Sequence, residues 1–133
     1  MRILLDFDQT FVVGPFPLID KIVPGAIETL LLLQEKHDII LNTYRANISQ
    51  ERLSEAVDLL TKKGIYLSYV LPEKKNPPDF LVKGIPEMAK LLNISMDIYI
   101  DDAARFIPLI SVGKIECVDW DRVKRIFEKE GLL

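Results

Sequence analysis

The chain has 133 residues, 49% hydrophobic and 28% charged, with 20 acidic against 17 basic side chains and a formal net charge of −3. Residues 1–133 are therefore expected to form one domain large enough for a genuine core. The composition argues against disorder, and the charge balance lacks the basic stripe of a nucleic-acid surface. The longest apolar stretch, Ile27 to Leu33, is broken by Glu28 and Thr29 and is too short for a membrane span. No leader-like run follows Met1-Arg2, and the single cysteine, Cys117, allows no internal disulfide, so a cytoplasmic protein with no membrane partner is expected.

In chain order, Arg2 to Phe7 is a short apolar run with the length and bounds of a buried strand. Phe11 to Val23 carries Gly14, Pro15 and Pro17 and reads as a loop or loose hairpin. Pro24-Gly25 opens a helix to about Lys36, and His37 to Leu41 forms the next strand. Asn47 or Ser49 caps a helix in which Leu53, Val57 and Leu60 recur at helical spacing and which Gly64 ends. Ile65 to Leu71 is a third strand, Glu73 to Asp79 a polar turn, and the following helix includes Met88 to Leu92. Asp97 to Ile100 is the fourth strand and Lys114 to Val118 the fifth. Asp119 caps a last helix with Val123 and Phe127 facing inward. This alternation predicts an α/β fold: a three-layer α/β/α sandwich around a mainly parallel, Rossmann-like sheet of about five strands. Ligands of such sheets bind beyond the carboxyl ends of the strands, where the strand order reverses.

Three polar clusters fall at those ends. In Asp6-Phe7-Asp8-Gln9-Thr10, extended backbone points Asp6 and Asp8 the same way. Two close carboxylates do not ionise together comfortably, and a carboxylate is a known nucleophile in phosphoryl transfer. Acids after a strand also simply start turns. In Asn42-Thr43-Tyr44-Arg45, a threonine hydroxyl and a guanidinium could hold a phosphate or a carboxylate, but taken alone the cluster reads better as an ordinary helix cap. Asp101-Asp102, after Ile98-Tyr99-Ile100, reads either as a solvated turn or as a pair that is costly at a buried strand end unless a cation or basic partner offsets it. Magnesium is such a cation, taking one or two carboxylates, waters and a phosphate oxygen. A lysine is also wanted to neutralise phosphoryl charge. Lys75, beside Asn76-Pro77-Pro78, is the first choice, with Lys74 and Lys83 as alternatives.

Together these residues resemble the haloacid dehalogenase superfamily. Ile3-Leu4-Leu5-Asp6-Phe7-Asp8-Gln9-Thr10 is similar to its first motif, Thr43 after Ile39-Ile40-Leu41 to its second, Lys75 to its third, and Ile98-Tyr99-Ile100-Asp101-Asp102 to its fourth. The resemblance implies a magnesium-dependent phosphohydrolase acting on a phosphate monoester through an aspartyl-phosphate. Asp6 would be nucleophile and Mg2+ ligand, and Asp8 general acid with its backbone carbonyl on the metal. Thr43 would hold a phosphoryl oxygen and Lys75 would steady charge. Asp102 would be the direct metal ligand, with Asp101 behind it beside the lysine or Arg45. Thr10, Asn42, Thr43 and Arg45 complete the expected substrate side. Gln9 departs from the family, where glycine is common.

The gaps between motifs hold no cap domain, so the pocket is expected to be open. Its substrate, a phosphorylated small molecule or macromolecule, would be bulky or covered by a homo-oligomer through the apolar flap Phe11 to Phe16. His37, Cys117 and Trp120 read as structural. A receiver-type signalling domain would carry its acids in another order, and no phosphate-binding glycine loop is present. A catalytically inactive binding or regulatory protein of the same fold stays open.

Overall fold

The computed structural model describes residues 1–76, 97–104 and 107–133. Lys83, the tip of the polar turn and the helix expected around Met88 to Leu92 lie outside them. The described strands are β1 (Arg2–Leu5), β2 (Val12–Val13), β3 (Lys21–Ile22), β4 (Asp38–Leu41), β5 (Tyr69–Val70), β6 (Asp97–Ile100), β7 (Leu109–Val112) and β8 (Ile115–Val118). The helices are α1 (Ala26–Leu33), α2 (Arg45–Ile48), α3 (Gln50–Lys62) and α4 (Trp120–Lys129). None of these helices is long and apolar enough to cross a membrane.

The chain is α/β, built on a four-stranded sheet ordered β5-β4-β1-β6. All its pairings are parallel, with Ile3 level with Ile39 on one side and Ile98 on the other. Ile3, Leu4 and Leu5 of β1 are buried, as are Ile39, Ile40 and Leu41 of β4. Such continuous apolar strands are what a parallel sheet requires, since neither face is wetted. Connectivity runs from β1 outward through β4 to β5, then returns to β6 on the other side of β1. The order therefore reverses beside β1, which places the crevice beyond Leu5 and Ile100.

Two short antiparallel pairs flank this sheet. Residues 11–23, expected as a loop or loose hairpin, pair β2 with β3. β8, expected to be the fifth strand of the main sheet, instead pairs antiparallel with β7, level at Val112 and Ile115. The two-residue loop Gly113-Lys114 explains this: Gly113 has φ 64, the positive value that tight hairpin turns need. Among the described residues the main sheet thus has four strands.

Local chemistry accounts for the helices. Ser49 caps α3 by accepting from the Arg52 amide at 3.1 Å, and α3 buries Ala56 and Leu60 while Leu53 and Val57 pack at the core's edge. Asp119 caps α4 by accepting from the Arg122 amide at 3.2 Å. α4 buries Trp120, Val123, Ile126 and Phe127, one stripe at helical spacing. α1 begins against the first turn of α4, and Gly25 permits the approach. A Cβ there would lie 2.9 Å from Asp121 Oδ1 and 3.3 Å from Trp120 Cβ, at φ 83.

Candidate functional site

β1, β4 and β6 end side by side, so Asp6, Asn42 and Asp101 emerge at one edge of the sheet. The ladder continues one residue beyond the strands: the Asp6 amide donates to Ile100 O at 2.9 Å and the Asn42 amide to Leu5 O at 2.7 Å. After Asp6 the chain turns sharply. Phe7 O accepts from the amides of Phe11 and Val12 at 2.8 and 3.1 Å. Gln9 pays for this turn with φ 59, a left-handed conformation that favours glycine, and its side-chain amide offsets the strain by donating to Gly14 O at 2.7 Å.

The structure gathers Asp6, Asp101 and Asp102, each offering a carboxylate oxygen within 4.8 Å of the others. Thr10 is the pin between them. Its hydroxyl donates to Asp6 Oδ2 at 2.9 Å and accepts from the Asp102 amide at 3.0 Å. Thr10, expected on the substrate side, is fully buried, with its hydroxyl engaged by the acids it organises. Trp120 holds it from beneath, its indole N–H donating to Thr10 O at 2.6 Å. Trp120, which reads as structural in the sequence, thus supports the acids through Thr10.

The ammonium at the site belongs to Lys74. Its Nζ lies 2.9 Å from Asp6 Oδ1 and 2.8 Å from Asp101 Oδ2. Lys75, the expected choice, is exposed, and its main chain is held by Asn42. The Asn42 amide group donates to Lys75 O at 2.7 Å and its Oδ1 accepts from Lys75 N at 2.8 Å. Asn47 Oδ1 accepts from Lys74 N at 2.9 Å. These asparagines fix the register of the loop and decide which lysine turns inward. Asn42, expected on the substrate side, is fully buried in this role.

Electrostatics follow from burial. Desolvation, then the neighbouring Asp101 charge, holds the Asp6 carboxyl well above the ordinary carboxylate range, with Lys74 pulling the other way. Burial also raises Asp102. For Lys74, burial favours the neutral amine, but the charges of Asp6 and Asp101 outweigh it and raise the ammonium above its usual value. Three carboxylates against one ammonium leave a surplus of two negative charges when all are ionised. A divalent cation with oxygen ligands would match that surplus.

Asp8 stands apart from this group. Both its oxygens accept from Arg45, Oδ2 from Nε and Oδ1 from Nη2, each at 2.8 Å. Arg45, expected on the substrate side, is fully buried and engaged by Asp8 and Glu55. Thr43 is buried at the head of α2, where its hydroxyl oxygen accepts from the Arg45 amide at 3.1 Å, which leaves its own proton to donate.

No family model matches the chain, and no curated protein matches it. A solved structure of a conserved protein from Bacteroides thetaiotaomicron does match. It is 29% identical, with a TM-score of 0.60 over 98% of this chain and 91% of that one.

Proposed function

We propose that this chain is a magnesium-dependent phosphohydrolase of the haloacid dehalogenase type, without a cap, whose nucleophile is the carboxylate of Asp6. The reading takes the full architecture to be the three-layer α/β/α form of that superfamily. One observation carries it: the carboxylates of Asp6, Asp101 and Asp102 converge within 4.8 Å at the sheet's reversal point, with Lys74 Nζ against Asp6 and Asp101. A solvated acidic turn would need no half-buried lysine and no threonine pin.

Asp6 and Asp102 would hold the ion, with the Asp8 main-chain carbonyl. Bound magnesium would supply Lewis-acid neutralisation of the phosphoryl oxygens and keep Asp6 ionised at neutral pH. Thr10 keeps Asp6 aimed through its hydrogen bond to Oδ2, leaving Oδ1 beside Lys74. Asp6 attacks phosphorus, forming an aspartyl-phosphate, and water later releases phosphate. Lys74 balances charge on Asp6 and on the transferring group, and the Thr43 hydroxyl donates to one of its oxygens. Asp101 holds Lys74 in place. The partner is a phosphorylated small molecule or macromolecule. Phe11, Val12 and Val13 of the flap are buried, and Phe16, exposed at 45%, with Leu18 just beyond the flap at 63%, would contact a bulky substrate or a second subunit.

The test is a panel of phosphorylated compounds with magnesium, beside Asp6→Asn. Phosphate release by the wild type and none by the variant is expected. Equal release by both would remove Asp6 as nucleophile, and no release by the wild type on any compound would remove the reading.

A further inference from the structure

The end of the sheet that carries the acids also carries two exposed aromatic side chains, and both are anchored to the pocket. Phe16 is exposed on the flap, yet its ring rests on a guanidinium. The ring centroid lies 5.4 Å from the central carbon of Arg45, within cation–π range. That guanidinium is itself fixed. Nη2 donates to Asp8 Oδ1 and to Pro17 O, and Nε to Asp8 Oδ2, each at 2.8 Å. The Phe7 ring lies against it as well, at 5.0 Å. Phe16 is therefore a platform held, through Arg45, at a set distance from Asp8.

Tyr44, 54% exposed, follows Thr43 and opens α2 in helical conformation. On one side of α2, Arg45 reaches the flap through Pro17 O. On the other, Asn47 reaches the lysine loop, its Oδ1 accepting from Lys74 N at 2.9 Å. At 3.6 residues per turn these two directions lie about 160° apart, and Tyr44 and Ile48 point into the arc between them. Ile48 is exposed too, so the face of α2 between flap and lysine loop is apolar and aromatic. A sugar or a second phosphate would want hydrogen-bond donors on such a face. Arg45 already gives its own to Asp8, Pro17 and Glu55. Another flat ring suits an exposed ring better, because stacking buries apolar surface with favourable geometry.

We propose, building on the phosphohydrolase reading, that Phe16 and Tyr44 are specificity-determining residues that hold a flat ring of the leaving group. The substrate is then a phosphate monoester of a ring-bearing alcohol, its ring either a nucleobase or an aryl group. Thr43 holds the phosphoryl oxygen while the ring stacks on Phe16 and against Tyr44, which sets the reach from ring to phosphorus. The occupant is substrate and not a second copy of the chain, because both aromatics are fixed to parts of the pocket. Phe16 is tied to the arginine that holds Asp8, and Tyr44 is joined to Thr43. Tyr66 serves as the contrast: it is also exposed, but its amide donates to Gln34 Oε1 at 2.8 Å, where α1 ends and β4 begins, at the other end of the sheet.

The experiment measures kcat/KM with magnesium for two pairs of esters, adenosine 5′-monophosphate against ribose 5-phosphate and 2-phenylethyl phosphate against 2-cyclohexylethyl phosphate. Within each pair the leaving oxygen belongs to a primary alcohol, so the ratio reports on the flat ring. The wild type is expected to favour the ring-bearing member of at least one pair by about twentyfold or more, and the pair with the larger ratio identifies nucleobase or aryl. Phe16→Ala and Tyr44→Ala are each expected to cut that ratio about fivefold, the low end of what one stacked ring supplies. The loss should fall mainly on KM, since the ring is remote from the bond that breaks, and Tyr66→Ala should leave the ratio alone. A purely structural role would slow both members of a pair together and leave their ratio unchanged. Should either alanine variant fail to fold, Phe16→Leu and Tyr44→Leu keep apolar bulk, remove the flat ring and carry the same test. Ratios near one in both pairs, or a preference that survives both substitutions, would overturn the inference and leave the phosphohydrolase standing. So would a ring-free ester on the wider panel that outruns all four, or a lower sedimentation mass for Phe16→Ala with unchanged ratios, which would give the face to a second copy. No turnover above Asp6→Asn on any ester would overturn the phosphohydrolase itself.

Discussion

Asn42→Ala removes the side chain that holds the loop carrying Lys74. Asn42 is fully buried and makes two hydrogen bonds to the main chain of Lys75, at 2.7 and 2.8 Å. Each is worth about 1 kcal/mol net, and stranding the freed amide and carbonyl would add more if they stayed buried. Lys75 is exposed, so water can reclaim both groups and the extra penalty falls away. The expected loss is about 2 kcal/mol, read as a lower urea midpoint with an unchanged slope. Turnover should suffer separately, because the loop no longer aims Lys74 at Asp6 and Asp101. We expect kcat to fall about tenfold with KM little changed, roughly the worth of one poorly placed charge-assisted hydrogen bond. Combining Asn42→Ala with Lys74→Met should cost no more activity than Lys74→Met alone. A midpoint unchanged within about 0.5 kcal/mol, or losses that add fully in the double variant, would refute the claim that Asn42 acts through Lys74.

Other outcomes follow from the same geometry. Lys74→Met should reduce kcat at least about a hundred-fold and Lys75→Met hardly at all, and comparable losses in steady-state assays would mean that the loop sits in another register. In the metal-free protein, folding raises the Asp6 carboxyl above its ordinary pKa of 3.8, so the folded state binds more protons between those values. Its contribution to stability therefore grows as pH falls through the raised pKa and is complete below 3.8. Subtracting the denaturation curve of Asp6→Asn, which does not titrate there, should isolate that rise, and a flat difference would count against it. Magnesium should raise the melting temperature of the wild type and do so much less for Asp6→Asn. Gln9→Gly should be close to neutral, since relief of the left-handed strain offsets the lost bond to Gly14. Gln9→Ala keeps the strain and loses the bond, and should cost about 1–2 kcal/mol by calorimetry.

Much of the site is visible in the chain because short-range geometry determines it. Asp6 follows an apolar strand, Asp101-Asp102 follows another, and parallel pairing brings strand ends together whatever the helices do. Other assignments depended on contacts between distant residues. Lys74 and Lys75 are adjacent in an irregular loop with no periodicity to tell inward from outward, and the choice falls to Asn42 and Asn47, some thirty residues earlier. Thr10 and Arg45 are residue types that bind phosphate elsewhere, but here neighbouring carboxylates claim them first. β8 has the composition of a sheet strand, and composition does not name its partner; the two-residue turn at Gly113 does. The four-residue helix α2 is too short for a periodic pattern.

The loop after β1 rests on the far end of the chain. The Val118 amide donates to Gln9 O at 3.1 Å, and the Trp120 indole to Thr10 O. Synthesis must therefore run past position 120 before the acids around Asp6 acquire their final spacing, and a ribosome-bound chain that stops short of it carries Asp6 without the buttress. Fraying of the α4 amino terminus would loosen the acids in the same way, so hydrogen exchange at Trp120 reports on the integrity of a centre assembled more than a hundred residues upstream.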